Sequence, residues 1–261
     1  MIIVKDIYNE IDKRASFDSA ESWDNCGILA GDPEAPVTKV ITALDITKEV
    51  VEEAAQKDAE LIVSHHPVIF HPLHTVLQTT VTGMLLQRGI SAICTHTPFD
   101  MSPSGMAKGL FDILEEPLGL IRSSEEPLKI TGENLSIGKL YRLREPLSPE
   151  TCAGRLKEAL GCKYVRFSRG GKNMSKIALC SGSGGSEISL AMEKGADALI
   201  SGDFKHDQFI DALNSGFVLF DCGHFHTERI FAKLMCEALS EAFPMLEVTA
   251  AESCTDPVEY V

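Results

Sequence analysis

The chain has 261 residues, 44% of them hydrophobic, which is enough for one large α/β domain or two smaller ones sharing an interface. The formal net charge of −14 argues against nucleic-acid binding, because that binding depends on phosphate neutralisation by Lys and Arg. No stretch approaches the roughly 20 apolar residues of a membrane span, and the N-terminus lacks the apolar segment of a secretory signal. We therefore expect a cytoplasmic protein.

Apolar runs of strand length alternate with segments of helical periodicity through most of the chain. Six runs rich in Val, Ile, Leu and Ala predict strands over 37–46, 60–65, 89–96, 175–180, 196–201 and 216–221. The intervening segments predict helices over 3–14, 47–57, 79–88, 104–115, 149–160, 186–194, 204–214 and 226–241. This alternation is typical of βαβ units, so we predict an α/β fold with mostly parallel or mixed sheets.

The polar segment 122–134, RSSEEPLKITGEN, contains Pro127 and Gly132 and separates two blocks of alternating elements. It therefore predicts a boundary between two α/β units. The following run, 135–143, alternates polar with apolar residues, which favours a more exposed, antiparallel strand.

The polar residues that stand out follow directly after predicted strands, where open α/β sheets bind ligands. His65 and His66 are adjacent in an extended segment, so they point in opposite directions and could serve two neighbouring metal ions. Taken alone, the pair is as readily explained as two polar loop residues. His96 and Asp100 share one loop after the next strand, although loops with Asp and Pro are common turns.

Two further strand ends carry the same kinds of residue. His224 and Glu228 are spaced i, i+4, so on a helix they share one face, as metal ligands on helices do. An exposed pair of this kind is often only solvated. Asp203 and His206 follow the strand over 196–201, and Asp203 there is typical of a helix N-cap. Together these nitrogen and oxygen donors suit Zn²⁺, Mn²⁺, Fe²⁺, Co²⁺ or Ni²⁺ without selecting one.

A glycine-rich segment, SGSGGS (181–186), lies between a predicted strand and a predicted helix. Such a turn exposes backbone N–H groups and suits an anion such as phosphate. It matches neither a Walker loop nor a full dinucleotide fingerprint. A tight turn without a ligand explains it equally well.

Five segments together resemble the signatures of one family, the NGG-interacting-factor-like dinuclear-metal proteins, often labelled GTP cyclohydrolase I type 2 homologues. They are SWDNCG (22–27), SHHPVIF (64–70), HTPFD (96–100), SGDFKHDQF (201–209) and DCGHFHTE (221–228). The segments follow the family's order and cover nearly the whole chain. The chain departs from the family pattern at position 98, where proline removes a backbone donor but keeps the spacing of the motif.

The resemblance implies two divalent transition-metal ions per chain. His65 and His66 would each bind one ion, and Asp100 would bridge them. His224 and Glu228 would complete the ligand shell from the far end of the chain. That arrangement requires the last helix and strand to return to the N-terminal unit.

We therefore predict two interlocked α/β units, a metal-binding unit of residues 1–125 plus 222–261 and a second unit of residues 126–221. The metal site would lie at the carboxyl ends of strands, between the units. The resemblance also implies a toroidal homo-hexamer. His96 and His206 are the candidate acid/base residues.

Two metal ions with a shared water are typical of hydrolases. Together with the family label, they predict a metal-dependent hydrolase, similar to a GTP cyclohydrolase, that acts on a nucleotide or related small molecule. Two alternatives stay open: a non-enzymatic metal-binding hexameric scaffold that binds partner proteins, and a phosphoesterase. We expect neither a membrane nor a nucleic acid as partner.

Overall fold

A computed structural model of the chain describes residues 1–169, 172–259 and 261. The chain divides into two compact units. The first contains Met1–Phe99 and Phe231–Pro257, and the second contains Asp100–Ile230 and Val258–Val261.

The first unit is built on a five-stranded sheet. Its strands are β1 (Gly27–Ala30), β2 (Lys39–Ala43), β3 (Leu61–Ser64), β4 (Ser91–Cys94) and β11 (Glu247–Ala250). They lie in the order β1-β4-β3-β2-β11, with β1 antiparallel and the other four parallel. The helices of this part of the chain are α1 (Val4–Arg14), α2 (Lys48–Gln56), α3 (Val81–Arg88), α4 (Thr97–Met101) and α10 (Ile230–Ala242).

The central parallel strands β3 and β4 of the first unit are apolar, as strands covered on both faces are. Every residue of β3 and β4 is buried. Helix α2 begins where the sequence predicts, since the Thr47 hydroxyl accepts a hydrogen bond from the Val50 amide at 3.3 Å. The predicted return of the last strand to this sheet is confirmed by the parallel pairing of β11 with β2.

The second unit is built on a six-stranded sheet. Its strands are β5 (Leu120–Gly132), β6 (Leu135–Leu147), β7 (Arg166–Phe167), β8 (Met174–Ser183), β9 (Ala198–Gly202) and β10 (Val218–Asp221). They lie in the order β5-β6-β8-β9-β10-β7; β8, β9 and β10 are parallel and the others antiparallel. The helices are α5 (Met106–Leu118), α6 (Pro149–Leu160), α7 (Ile188–Glu193), α8 (His206–Ser215) and α9 (His224–Glu228). The predicted mixed α/β fold is confirmed.

The segment 122–134, predicted as the boundary between the units, lies within the second unit, where most of it forms the edge strand β5. An edge strand has one neighbour, and most side chains of β5 are solvent-accessible, so its polar composition resembles that of a linker. The predicted helix over 226–241 is two helices, α9 and α10. Within the described residues, no helix is both long and apolar enough to cross a membrane.

The division between the units also differs from the predicted boundaries at 125 and 222. The chain enters the second unit at Asp100, because α5 buries Leu110, Phe111 and Leu114 in that unit's core. It returns to the first unit at Phe231, so α9 stays with the second.

Candidate metal centre

Two histidines extend strand β3 at its carboxyl end. The His65 amide donates to the Ala43 carbonyl at 3.2 Å and the His66 amide to the Leu44 carbonyl at 2.9 Å, so both residues continue the parallel pairing of β2 with β3. The Ser64 hydroxyl donates to the His66 carbonyl at 2.8 Å. His65 is fully buried. The backbone of the pair is therefore fixed by the sheet.

His96 follows the neighbouring strand β4 and joins the same group. Its ring centroid lies 5.2 Å from that of His65 and 5.5 Å from that of His66. One ligand nitrogen from each of the three histidines lies within 4.8 Å of the others. We call His65, His66 and His96 the histidine group.

Every imidazole of the histidine group has its Nδ1 atom beside an oxygen. His65 Nδ1 lies 3.1 Å from the Thr95 carbonyl, which only accepts hydrogen bonds, so this nitrogen is the donor. His66 Nδ1 lies 2.7 Å from Asp45 Oδ1, and His96 Nδ1 lies 2.9 Å from Asp24 Oδ1. A proton on Nδ1 leaves Nε2 with a lone pair, which is the state that a metal-binding histidine requires. The group therefore fits a metal ion.

Asp24 is the most firmly held of these partners, with its side chain fully buried. Beside His96, it accepts from the Thr97 amide at 3.0 Å, the Thr97 hydroxyl at 2.5 Å and the Cys26 thiol at 3.0 Å. Burial raises the pKa of Asp24, but these hydrogen bonds outweigh it and hold the pKa well below its usual range. The carboxylate stays charged and fixes the His96 ring.

The second unit carries a separate set of metal-ligating side chains. His224 and Glu228 occupy one face of α9, with His224 Nε2 2.8 Å from Glu228 Oε2. Carboxylate oxygens of Asp100 and Glu228 lie within 4.8 Å of each other. We call Asp100, His224 and Glu228 the carboxylate group. Two like charges this close favour a cation beside them.

His224 repeats the pattern seen in the histidine group, because its Nδ1 lies 2.7 Å from Asp203 Oδ2. Burial lowers the pKa of His224, but Glu228 and Asp203 on its two nitrogens raise it to about 9. The metal-free protein therefore holds a proton on the Nε2 atom that would bind a metal ion.

Two glycines make room for this group. A Cβ atom on Gly182 would lie 2.1 Å from Glu228 Oε1, and one on Gly202 would lie 2.7 Å from the His224 amide nitrogen. Gly182 also has a φ of +61°, which other residues rarely adopt. Its amide donates to the Thr227 hydroxyl at 3.0 Å. This part of the glycine-rich segment 181–186 thus packs against α9.

Some of the functional contacts were not predicted. Asp24 lies in the SWDNCG segment and Asp45 lies two residues after the end of β2. A single aspartate in either place gives no signal that it holds a distant imidazole. The prediction that Asp203 caps a helix is wrong, since α8 begins at His206 with Lys205 before it. His206 lies instead in a concavity with Arg166 and Phe209.

Comparisons with known proteins show the family of the chain. The family model described as Duf34/NIF3 (NGG1p interacting factor 3) matches residues 2–257. The chain belongs to the Duf34/NIF3 family. A Campylobacter jejuni relative named "GTP cyclohydrolase 1 type 2 homolog" is 32% identical, covering 98% of this chain and 99% of the relative. A Helicobacter pylori relative named "GTP cyclohydrolase 1 type 2" is 29% identical, covering 92% of each.

The fold is also shared with solved structures of the family. The crystal structure of a Staphylococcus aureus hypothetical protein superposes with a TM-score of 0.86, at 27% identity and with 99% of each chain covered. The Bacillus cereus protein related to NIF3 has a TM-score of 0.88 at 22% identity, over 100% of this chain and 99% of that one.

Proposed function

We propose that this protein is a dinuclear metal-dependent hydrolase that acts on a nucleotide or a related small molecule. The observation that carries the proposal is the shared orientation of four imidazoles, each with Nδ1 held by an oxygen. A solvated surface histidine needs no such partner, whereas a metal ligand does.

Two members of the histidine group, together with the carboxylate group, would hold the two ions. His65 and His66 would each bind one ion through Nε2, and Asp100 would bridge both. His224 and Glu228 would complete the set. When bound, two divalent ions acidify a water molecule and polarise the bond that it attacks. The identity of the ions is left open by this donor set.

The residues around the ligands would orient them and accept a proton. Asp24 fixes the His96 ring with Nε2 directed away from the carboxylate, as a general base requires. We assign proton transfer to His96, which lies beside His65 and His66. His206 instead lines a concavity with Arg166 and Phe209. A His96→Ala protein that keeps both ions but loses turnover would support this role; loss of an ion would instead make His96 a ligand.

Metal content tests the ligand assignment. Elemental analysis of purified wild type, offered Zn²⁺ or Mn²⁺, should give about two ions per chain, and His65→Ala and Glu228→Ala should each bind less. His74→Ala is the matched control, since His74 is an exposed histidine of the first unit. A wild-type protein that binds no metal would refute the proposal.

A product assay separates the possible reactions. The name of the Helicobacter pylori relative supports a cyclohydrolase reaction on GTP, which opens the imidazole ring of guanine and releases formate. Formate release from GTP, dependent on added metal and on His65, would support that reaction. Phosphate release without formate would indicate a phosphoesterase. Two bound ions with no turnover on either assay would favour a metal-binding scaffold.

We also propose a cytoplasmic homo-hexamer, on the strength of the family resemblance alone. Light scattering of the purified protein should then give the mass of six 28.4 kDa chains. A monomer or dimer at cellular concentrations would contradict it.

A further inference from the structure

We propose that a second site on the protein binds a small aromatic phosphate, such as a nucleoside monophosphate, independently of metal. The site is a concavity of about 340 Å³ in the second unit, within the range of small-molecule sites. Its walls combine positive charge with aromatic and aliphatic surface; they are formed by Arg166, Phe167, Ser168, Arg169, His206, Phe209, Ile210 and Leu213. We call it the arginine pocket.

One segment that lines the arginine pocket is basic, although the chain as a whole is acidic. Residues 159–186 contain five Lys or Arg and no Asp or Glu, although the chain has a net charge of −14. The five are Lys163, Arg166, Arg169, Lys172 and Lys176. Among the described residues, no carboxylate lines the arginine pocket. Another surface concavity is lined instead by Glu49, Glu52, Glu53 and Glu252.

Arg166 forms a rigid wall of the pocket, and its positive charge is already paired. Its Nη2 atom donates to the Phe204 carbonyl at 3.0 Å and to Asp221, a buried carboxylate. Its guanidinium lies 5.3 Å from the centroid of the Phe209 ring. These contacts fix the guanidinium plane beside an aromatic face, which is a surface on which a planar base stacks.

Arg169 supplies the positive charge that is available to a ligand of the arginine pocket. It is exposed at the rim of the pocket and makes no ion pair within the described part of the chain. His206, the first residue of α8, adds a second group that can donate a hydrogen bond. A phosphate at this rim would gain charge-assisted hydrogen bonds.

The apolar part of the pocket explains why the ligand should carry more than a phosphate. Ile210 is 44% exposed and Leu213 is 36% exposed, and both lie beside the Phe209 ring. A planar base would cover this surface, and inorganic phosphate would not. The small volume and the acidic chain favour a small molecule over a nucleic-acid strand.

Calorimetric titration with AMP tests the proposal. The full-length protein is used in the presence of EDTA, so that phosphate cannot bind through a metal ion. AMP should bind saturably, with adenosine and inorganic phosphate each at least about tenfold weaker, since each lacks one half of the interaction. Equal affinity for phosphate and AMP, or no saturation by about 10 mM AMP, would overturn the proposal.

Variants locate the binding. Arg169→Ala should weaken AMP binding about tenfold or more, and Arg169→Lys should recover part of it. Arg142→Ala is the matched control, because Arg142 is an exposed arginine of the same unit on β6. Phe209→Leu should weaken AMP binding more than phosphate binding. An AMP affinity that is the same in wild type and Arg169→Ala would refute the assignment, as would binding of single-stranded RNA without binding of AMP.

Discussion

The link between Asp24 and His96 yields a quantitative prediction for Asp24→Asn. One oxygen of Asp24 accepts from His96 Nδ1 and the Asn25 amide, and the other accepts from the Thr97 amide, the Thr97 hydroxyl and the Cys26 thiol. An asparagine has one acceptor oxygen, and the three donors of Thr97 and Cys26 outnumber the two on the other side and favour its placement beside them. Its NH₂ group then faces His96 and selects the imidazole tautomer with the proton on Nε2.

In that tautomer, Nε2 of His96 has no lone pair and cannot accept a proton. General-base catalysis typically contributes about 100-fold or more, so turnover should fall by about that factor while both ions are kept. Loss of the charged hydrogen bond should also lower the free energy of unfolding, by about 1.5–3 kcal/mol. Both effects should appear together in Asp24→Asn.

The formate and phosphate assays measure the loss of turnover, and competition with a chromophoric chelator checks that the affinity for Zn²⁺ is kept. Quenching by Co²⁺ of the only tryptophan, Trp23, gives a local readout, because its ring centroid lies 6.0 Å from that of His96. Asp58→Asn is the control; Asp58 is exposed and has a φ of 54°, which asparagine tolerates. A folded Asp24→Asn protein with wild-type turnover would show that Asp24 does not set the tautomer of His96.

Three further predictions concern glycine packing and pH. Gly182→Ala should reduce metal content because its Cβ would collide with Glu228. Gly195→Ala, with a φ of +72° and open space around it, should cause only backbone strain. Elemental analysis and thermal melts distinguish the two effects. Protonated His224 stabilises the metal-free protein fully below pH 6.5, and this contribution is lost as pH rises through about 9. The melting temperature of wild type should therefore fall relative to that of His224→Gln across this pH range. Parallel curves of melting temperature against pH would contradict this prediction. Burial raises the pKa of Glu53, but hydrogen bonds from Lys, Ser and backbone donors lower it to about 2. The ionised side chain therefore stabilises the protein above pH 4.5, and this contribution is lost as pH falls towards 2. Glu53→Gln should melt at a lower temperature than wild type at pH 7 and lose less stability on acidification; an unchanged melting temperature would refute this.

The strands that are buried on both faces were predictable because burial leaves a continuous apolar run. β3 and β4 fall within the predicted ranges 60–65 and 89–96. β5 was not predictable in this way, since an edge strand exposes much of its surface and is polar. Two-residue β7 is too short to carry any periodicity.

The candidate ligands were predictable for a different reason. A histidine or carboxylate after an apolar strand interrupts the pattern, as His65, His66 and Asp100 do. Their partners carry no comparable signal: Asp24 lies in a polar segment where aspartate is common, and Asp45 is a single aspartate near the end of the predicted strand 37–46. The distance between His96 and Asp24 along the chain, 72 residues, is bridged only by the fold.

The charge of the arginine pocket could also have been found in the sequence, since residues 159–186 lack any acidic residue. The aromatic wall could not. Phe209 meets Arg166 only because α8 packs beside β10, the neighbour of β7 in the sheet. The composition of this segment therefore indicates the charge of the arginine pocket, whereas its aromatic wall is formed only by the fold.

Anomalous X-ray diffraction from crystals grown with Zn²⁺ would test the dinuclear centre most directly. Two peaks per chain are expected, with the Nε2 atoms of His65 and His66 on different ions at about 2.0–2.1 Å and the carboxylate of Asp100 on both. A single peak, a peak bound through Nδ1, or peaks away from both groups would contradict it.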